Sequence, residues 1–314
     1  MYRHVVDGSS PDYLCGMLGI DRPVLLAPMA HVAGGRLAAA VSDAGGLGLI
    51  GGGYGKLEWI NEQLTVAGDS VVGIGFISWA LDAEVLAAVL QRRPAAVWFS
   101  FGDATPHFRT VHAAGIVSIC QVGSAAEATA AVAAGANVIV AQGSEAGGHG
   151  REGLSLTELL PAIRAALPKV PLVAAGGLND ATDFERVHRL GAAGVALGTA
   201  FYASEEATDV VAAKQQLVAA ESGSTVRSTV YDIIRGPEWP TEFTGRSLRS
   251  DLTERWANDS EGLRKTLEVV KLRYAEAAKN DDMTKRVVWA GEGVGDVDAI
   301  VPAASIVARF PAVR

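Results

Sequence analysis

The chain has 314 residues, 49 % of them apolar, and carries a formal net charge of −8. That acidic balance, with Arg and Lys scattered rather than clustered, excludes a nucleic-acid surface, which needs a basic face. Cys15 and Cys120 are too few and too far apart for a disulfide framework or a zinc site, and no apolar run reaches the roughly 18 residues of a membrane span. The amino terminus, MYRHVVDGSSPDYLCG, lacks the apolar segment of a signal peptide, so a soluble cytoplasmic protein is expected.

A strand-then-helix rhythm begins with the apolar run PVLLAPMA over 23–30, followed by helical spacing from Gly35 and a second strand over 47–53. A helix over 56–67, a strand over 71–79 and a helix opened by Asp82 as N-cap come next. The pattern repeats with a strand over 95–102, a helix over 106–114, a strand over 116–123 and a helix over 124–135. A short β-branched run over 137–140 leads into the loop AQGSEAGGHG, 141–150. After it come a helix over 155–167, a strand over 171–178, a helix over 180–190, a strand over 194–204 and a helix over 205–220. Alternating units with no hairpin signal imply a parallel sheet, and eight of them imply a closed (β/α)8 barrel over 1–222. An open doubly wound sheet fits less well, because the glycines follow many strands rather than forming one fingerprint after the first.

Residues 223–314 break the rhythm. VRSTVYDIIRGPEWPTEF holds two prolines and mixed polarity, and the stretch from DLTERW onward is helical with a stop near Asn280. This segment is expected to be a mostly helical cap over one side of the barrel mouth, with a dimerisation surface as the alternative. Its last helix is expected to pack back on the barrel.

In such barrels the site lies at the carboxyl ends of the strands. The loop 141–150 delivers His149 there through Gly143, Gly147, Gly148 and Gly150, beside Gln142, Ser144 and Glu145. His149 is the one side chain in it that exchanges a proton near neutral pH, and Glu145 is expected to cap or brace the loop. The turns AAGGLND and ALGTAF after the last two strands offer backbone N–H groups at Gly176, Gly177 and Gly198 and the Thr199 hydroxyl to a phosphate, helped by the amino terminus of the helix that follows.

The blocks APMAHVAGG, AVSDAGGLGLIGGG, AQGSEAGGHG, PLVAAGGLND, GAAGVALGTAFYASEEA and WAGEGVG, in this order along nearly the whole chain, resemble the nitronate monooxygenase family. The resemblance implies a TIM barrel with noncovalent FMN, small-molecule substrate and O2 as partners, and oxidation of alkyl nitronates to a carbonyl compound and nitrite. It implies that Ala27, Pro28 and Met29 lie by the isoalloxazine ring, that Gln142 reaches the flavin or its ribityl chain, and that Gly147 and Gly148 line the ring. Gly176, Gly177, Gly198 and Thr199 would hold the phosphate, and His149 matches the catalytic histidine. One departure stands out: Phe76 sits near the position of a family asparagine, leaving Ser78 or Gln121 to take that contact. His31 and Trp79 either face the pocket or lie at its rim. Tyr54, Trp239 and Trp256 are read as packing, and His107, His112 and His188 as solvated helix residues. Two other readings keep the fold: an FMN-dependent enoyl-acyl carrier reductase using NAD(P)H, and a flavin-binding protein without catalysis.

Overall fold

The short apolar runs become strands buried on both faces, the burial expected of a parallel sheet covered by helices. The structure, a computed structural model, describes residues 7–236 and 239–313; Pro237 and Glu238 of the expected bend lie outside them. In chain order the strands are β1 Val24–Leu26, β2 Leu49–Gly53, β3 Gly73–Ile77, β4 Ala96–Ser100, β5 Val117–Val122, β6 Val138–Gln142, β7 Gly148–Gly150, β8 Leu172–Ala175, β9 Gly194–Leu197, β10 Thr225–Ser228 and β11 Thr244–Leu248. Eight of them form one parallel sheet in the order β1-β9-β8-β6-β5-β4-β3-β2. A parallel bridge between Leu25 and Leu47 joins its two edges and makes the barrel.

Alternation along the strands divides the core. Leu25, Trp98, Ile119, Val140, Val173 and Ala196 belong to one buried cluster, while their neighbours Leu26, Val97, Phe99, Ile139, Ala174 and Val195 belong to another with the surrounding helices. The first cluster also takes in Leu14, Cys15 and Leu18 of a helix Pro11–Leu18 that the rhythm did not suggest. Ser10 caps it by accepting from the Tyr13 amide, Pro11 opens it, and Gly19 ends it at φ 69°. Leu14 packs against Gly194, the first residue of β9, so this helix closes the amino-terminal end of the barrel and leaves the carboxyl end open.

Two boundaries differ from expectation. The run expected as a strand over 194–204 ends at Leu197 and turns into a short helix, Thr199–Tyr202, and the helix expected over 205–220 is Val211–Val218. Ala200, Phe201, Tyr202 and Ala203 are buried together, and such an apolar stretch has no period by which strand and helix can be told apart.

The segment after Gly223 contributes strands as well as helices. β10 and β11 pair antiparallel, and β11 pairs antiparallel with β7, inside the loop 141–150, with Gly245 opposite His149. The helices Val230–Arg235, Asp251–Trp256, Ser260–Lys265 and Leu267–Lys279 surround a separate small core of Val230, Tyr231, Ile234, Leu252, Trp256, Leu263 and Val270. The last helix, Ala303–Val307, buries Ala303, Ile306 and Val307 in the main core. Among the described residues no helix is long and apolar enough to cross a membrane.

Candidate functional site

A cavity of about 240 Å³ opens at the carboxyl ends of the barrel strands. Its wall takes Ala27, Pro28 and Met29 after β1, Gln121 in β5, Gln142 at the end of β6, Gly147 and Gly148, Gly176 and Gly177 after β8, and Gly198 and Thr199 after β9. His149 lies on the same wall. Residues far apart in sequence therefore meet at one place because each lies at or just beyond the carboxyl end of a parallel strand of the same ring.

The loop that carries His149 is held from several sides. The Glu145 carboxylate accepts the Leu156 amide at 3.0 Å, and its backbone carbonyl accepts from Glu292 at 2.9 Å, so its part is to brace the loop. Arg227 of β10 donates to the carbonyls of Ser144, Ala146, Gly150 and Thr244, and Arg246 of β11 donates to Ser144 while pairing with Glu292 at 2.8 Å. Burial, reinforced by the neighbouring Arg246, brings the Arg227 guanidinium down to about 10, which still leaves it charged at neutral pH. At Gly147 a Cβ would come within 2.4 Å of the Gly291 amide nitrogen, so the close passage of the late WAGEGVG stretch over the loop requires glycine there.

Nε2 of His149 lies 2.7 Å from Oδ1 of Asp232, with both side chains mostly buried. The imidazole stacks flat on the Trp239 indole, 3.6 Å between centroids and 3° between planes, with Trp289 at 5.1 Å and the edge of Phe101 at 6.2 Å. A carboxylate at Nε2 selects the neutral tautomer with its proton on that nitrogen, and leaves the lone pair on Nδ1. The Gln142 amide donates to the His149 carbonyl at 2.9 Å, which fixes the backbone of the residue. The arrangement is an oriented imidazole inside an aromatic enclosure.

Around it, Phe76, Tyr54, Trp239 and Arg235 also line the cavity. Tyr54 and Trp239, read from sequence as packing, are therefore wall residues, joined by a hydrogen bond from the indole N–H to the phenol at 3.0 Å; Trp256 is packing. His31 is on the wall at φ 64°, and burial, then Arg235 and Lys56, hold its imidazole below the usual value. Trp79 stands edge-on to Tyr54 and Trp239, and Ser78 is buried with its hydroxyl unpartnered; of the two replacements for the family asparagine, it is Gln121 that reaches the wall. The Gln121 amide oxygen accepts from Ser100 at 3.2 Å. His112 and His188 are not simply solvated: His112 meets Ser118 and Asn137, and His188 meets the Ala192 carbonyl.

At the turns expected to hold a phosphate, Gly176 and Gly177 take φ of 128° and 63°, a conformation that only glycine adopts readily in succession. The helix after Gly177 does not help as expected, because Asp180 caps it and accepts the Asp183 amide, which puts carboxylates at its amino terminus. A Cβ on Gly198 would make ordinary van der Waals contact with Met29 Sδ at 3.8 Å and Ala27 Cβ at 3.9 Å, and the Thr199 hydroxyl accepts the Gly291 amide at 3.0 Å, leaving its own proton to donate.

Asp232, Arg227 and Arg246 escaped the sequence reading, which took Trp239 for packing. The signal for Asp232 was a lone carboxylate within the otherwise apolar turn Tyr231-Asp232-Ile233-Ile234, but nothing local says what it faces.

The nitronate monooxygenase profile matches residues 12–72 and 71–311. A nitronate monooxygenase of Metarhizium robertsii is 35 % identical over 90 % of this chain and 88 % of its own length. Among solved structures, FabK from Thermotoga maritima superposes with a TM-score of 0.83 at 26 % identity, covering 95 % of this chain and 94 % of that one. A nitroalkane oxidase from Streptomyces ansochromogenes does so with a TM-score of 0.77 at 26 % identity, covering 94 % and 96 %. With its barrel, its histidine loop and a family match over nearly all its length, the chain belongs to the nitronate monooxygenase family.

Proposed function

We propose that this protein is an FMN-dependent oxidoreductase that converts alkyl nitronates, and nitroalkanes after deprotonation, with O2 into a carbonyl compound and nitrite. The observation that carries the reading is His149, oriented by Asp232 and Trp239, on the same cavity wall as the glycine turns. The residues present fit FMN: the space beside Gly198 that a Cβ would fill, the paired left-handed glycines and the free proton of Thr199 suit a phosphate. Ala27, Pro28, Met29, Gly147 and Gly148 suit a flat ring, and Gln121 and Gln142 supply polar groups beside it. Bound there, FMN supplies an acceptor for an electron from the nitronate and a donor to dioxygen.

The side chains account for the rest. A nitroalkane has a mildly acidic α-carbon, and His149 Nδ1 carries the lone pair that takes its proton. Asp232 stabilises the imidazolium that results and keeps the ring from turning, as an orienting carboxylate does. Trp239, Phe101 and Trp289 exclude water from the imidazole, and Arg235 adds a cation to a wall that receives an anion. A nitronate supplied ready-made needs no base.

The test is the visible spectrum of the purified protein, followed by anaerobic mixing with a nitronate or with NAD(P)H. Yellow protein that bleaches on the nitronate supports the proposal. Bleaching on NAD(P)H alone assigns the site to the enoyl-reductase reading instead, and a colourless protein that refuses FMN removes both.

A further inference from the structure

A second cavity, of about 300 Å³, lies beside the first, between the helices Thr105–Ala113 and Ala125–Ala134 and the ends of β4 and β5. The two share three wall residues, Phe101, Gln121 and Gln142, so the partition is one side chain thick. Gln121 is tied to Ser100 and Gln142 to the His149 carbonyl. The Phe101 carbonyl accepts the Trp79 amide at 3.1 Å, and its ring lies edge-on to His149 and Trp239 on one side and to Phe243, a wall residue of the second cavity, at 5.4 Å on the other. It is also held at φ 60°, a region that side-chain-bearing residues adopt rarely and that collects at functional sites. The leaf between the cavities is therefore Phe101.

The chemistry of the second cavity is divided. Its inner wall is apolar, with Ala104, Phe108, Val122 and Ala131 buried. Its charged residues are Asp103, Glu127, Glu242 and Arg151. Arg151 is neutralised by Glu127 at 2.6 Å and lies over the Phe243 ring, which leaves the charge of Asp103 and Glu242 as the surplus. Hydrogen bonds from Thr105 hold the Asp103 carboxyl below its usual range, so that surplus persists in mildly acidic solution.

We infer that the second cavity is the subsite for the alkyl chain of the substrate, reached from His149 past the Phe101 ring, and that it takes uncharged or amine-terminated chains and rejects carboxylate-terminated ones. This rests on the nitronate reading of the main site. An apolar wall beside the reacting centre rewards chain length, at about fourfold per buried methylene. A carboxylate rim favours an ammonium and repels a second carboxylate.

The experiment compares kcat/KM for the nitronates of nitroethane and nitrohexane in the holoenzyme and in Ala131→Phe, which fills the second cavity away from His149. The hexyl-to-ethyl ratio is expected to fall about tenfold or more, and an unchanged ratio overturns the inference. Glu242→Lys, at an exposed position, is the variant that leaves the core intact; it is expected to shift the preference between amine-terminated and carboxylate-terminated nitronates by about fivefold toward the carboxylate, and no shift overturns the charge assignment. Calorimetry with hexylamine separates the two levels of the claim. Should the wild-type holoenzyme turn over no nitronate of any length, the functional reading falls; hexylamine binding that Ala131→Phe abolishes still supports the subsite, and binding that the variant leaves intact, or none at all, overturns it.

Discussion

At the scale of single residues the site turns on one nitrogen atom. If His149 Nδ1 is the base, His149→Ala lowers turnover of a neutral nitroalkane by about 10²–10⁴-fold, while a preformed nitronate keeps most of its rate. Steady-state rates on the same compound in its two ionisation states provide the check, and equal losses on both would show that the imidazole is not the base. Asp232→Asn preserves shape but lets an amide N–H face Nε2, which favours the wrong tautomer. The expected result is a fall of order 10–100-fold on the nitroalkane, an order-of-magnitude figure for an oriented base, with the KM for the nitronate unchanged. His149 was legible in the sequence because glycines on either side left it the only side chain at a strand end that could move a proton. Asp232 was not: it lies 83 positions away, and only folding brings its carboxylate to the ring.

At the scale of elements, the three-stranded sheet β10-β11-β7 couples the segment after Gly223 to the histidine loop. Arg227 is its clasp. Replacing it with Met removes this donor from the carbonyls of Ala146, Gly150 and Thr244, while Ser144 keeps Arg246, and buried unpaired acceptors cost about 1–3 kcal/mol each before water relieves them. Arg227→Met is expected to lose about 2–4 kcal/mol in urea unfolding and to weaken retention of the proposed FMN; a midpoint within error of wild type would show that the clasp does little. The parallel strands were legible from short apolar runs at regular spacing. The small sheet was not, because β7 is Gly-His-Gly and β10 is Thr-Val-Arg-Ser, too short and too polar to carry a period, and their pairing is nonlocal. The same limit applies to Thr199–Tyr202, where a buried run concealed a helix.

At the scale of the whole molecule, several carboxylates are worth more folded than unfolded. Asp7, Asp103, Glu158 and Asp282 accept hydrogen bonds from Ser9, Thr105, Ser155, and Lys285 with Thr284, and all are held below their usual values, Asp282 at about 2. A carboxyl with a folded pKa below its unfolded one adds stability that is complete above the unfolded value and is lost as pH falls through the folded one. His31 and His107, whose imidazoles partial desolvation holds below the usual value, act in the same direction, since protons bind them better in the unfolded chain. Melting temperature is therefore expected to decline as pH drops from 6.5 toward 2, first with the histidines and then with the carboxylates. Circular dichroism melts across that range supply the measurement, and a flat profile would mean that these groups are solvated alike in both states.

The sequence alone determined the barrel, the end at which its site opens and the histidine loop, because strand periodicity, glycine turns and a family pattern are properties of neighbours along the chain. Tertiary structure alone decided which nitrogen of that histidine is free, which carboxylate orients it, which indole covers it and where a second cavity meets the first. Those are distances between residues that the chain does not place next to one another, and they exist only once packing has closed the space between them.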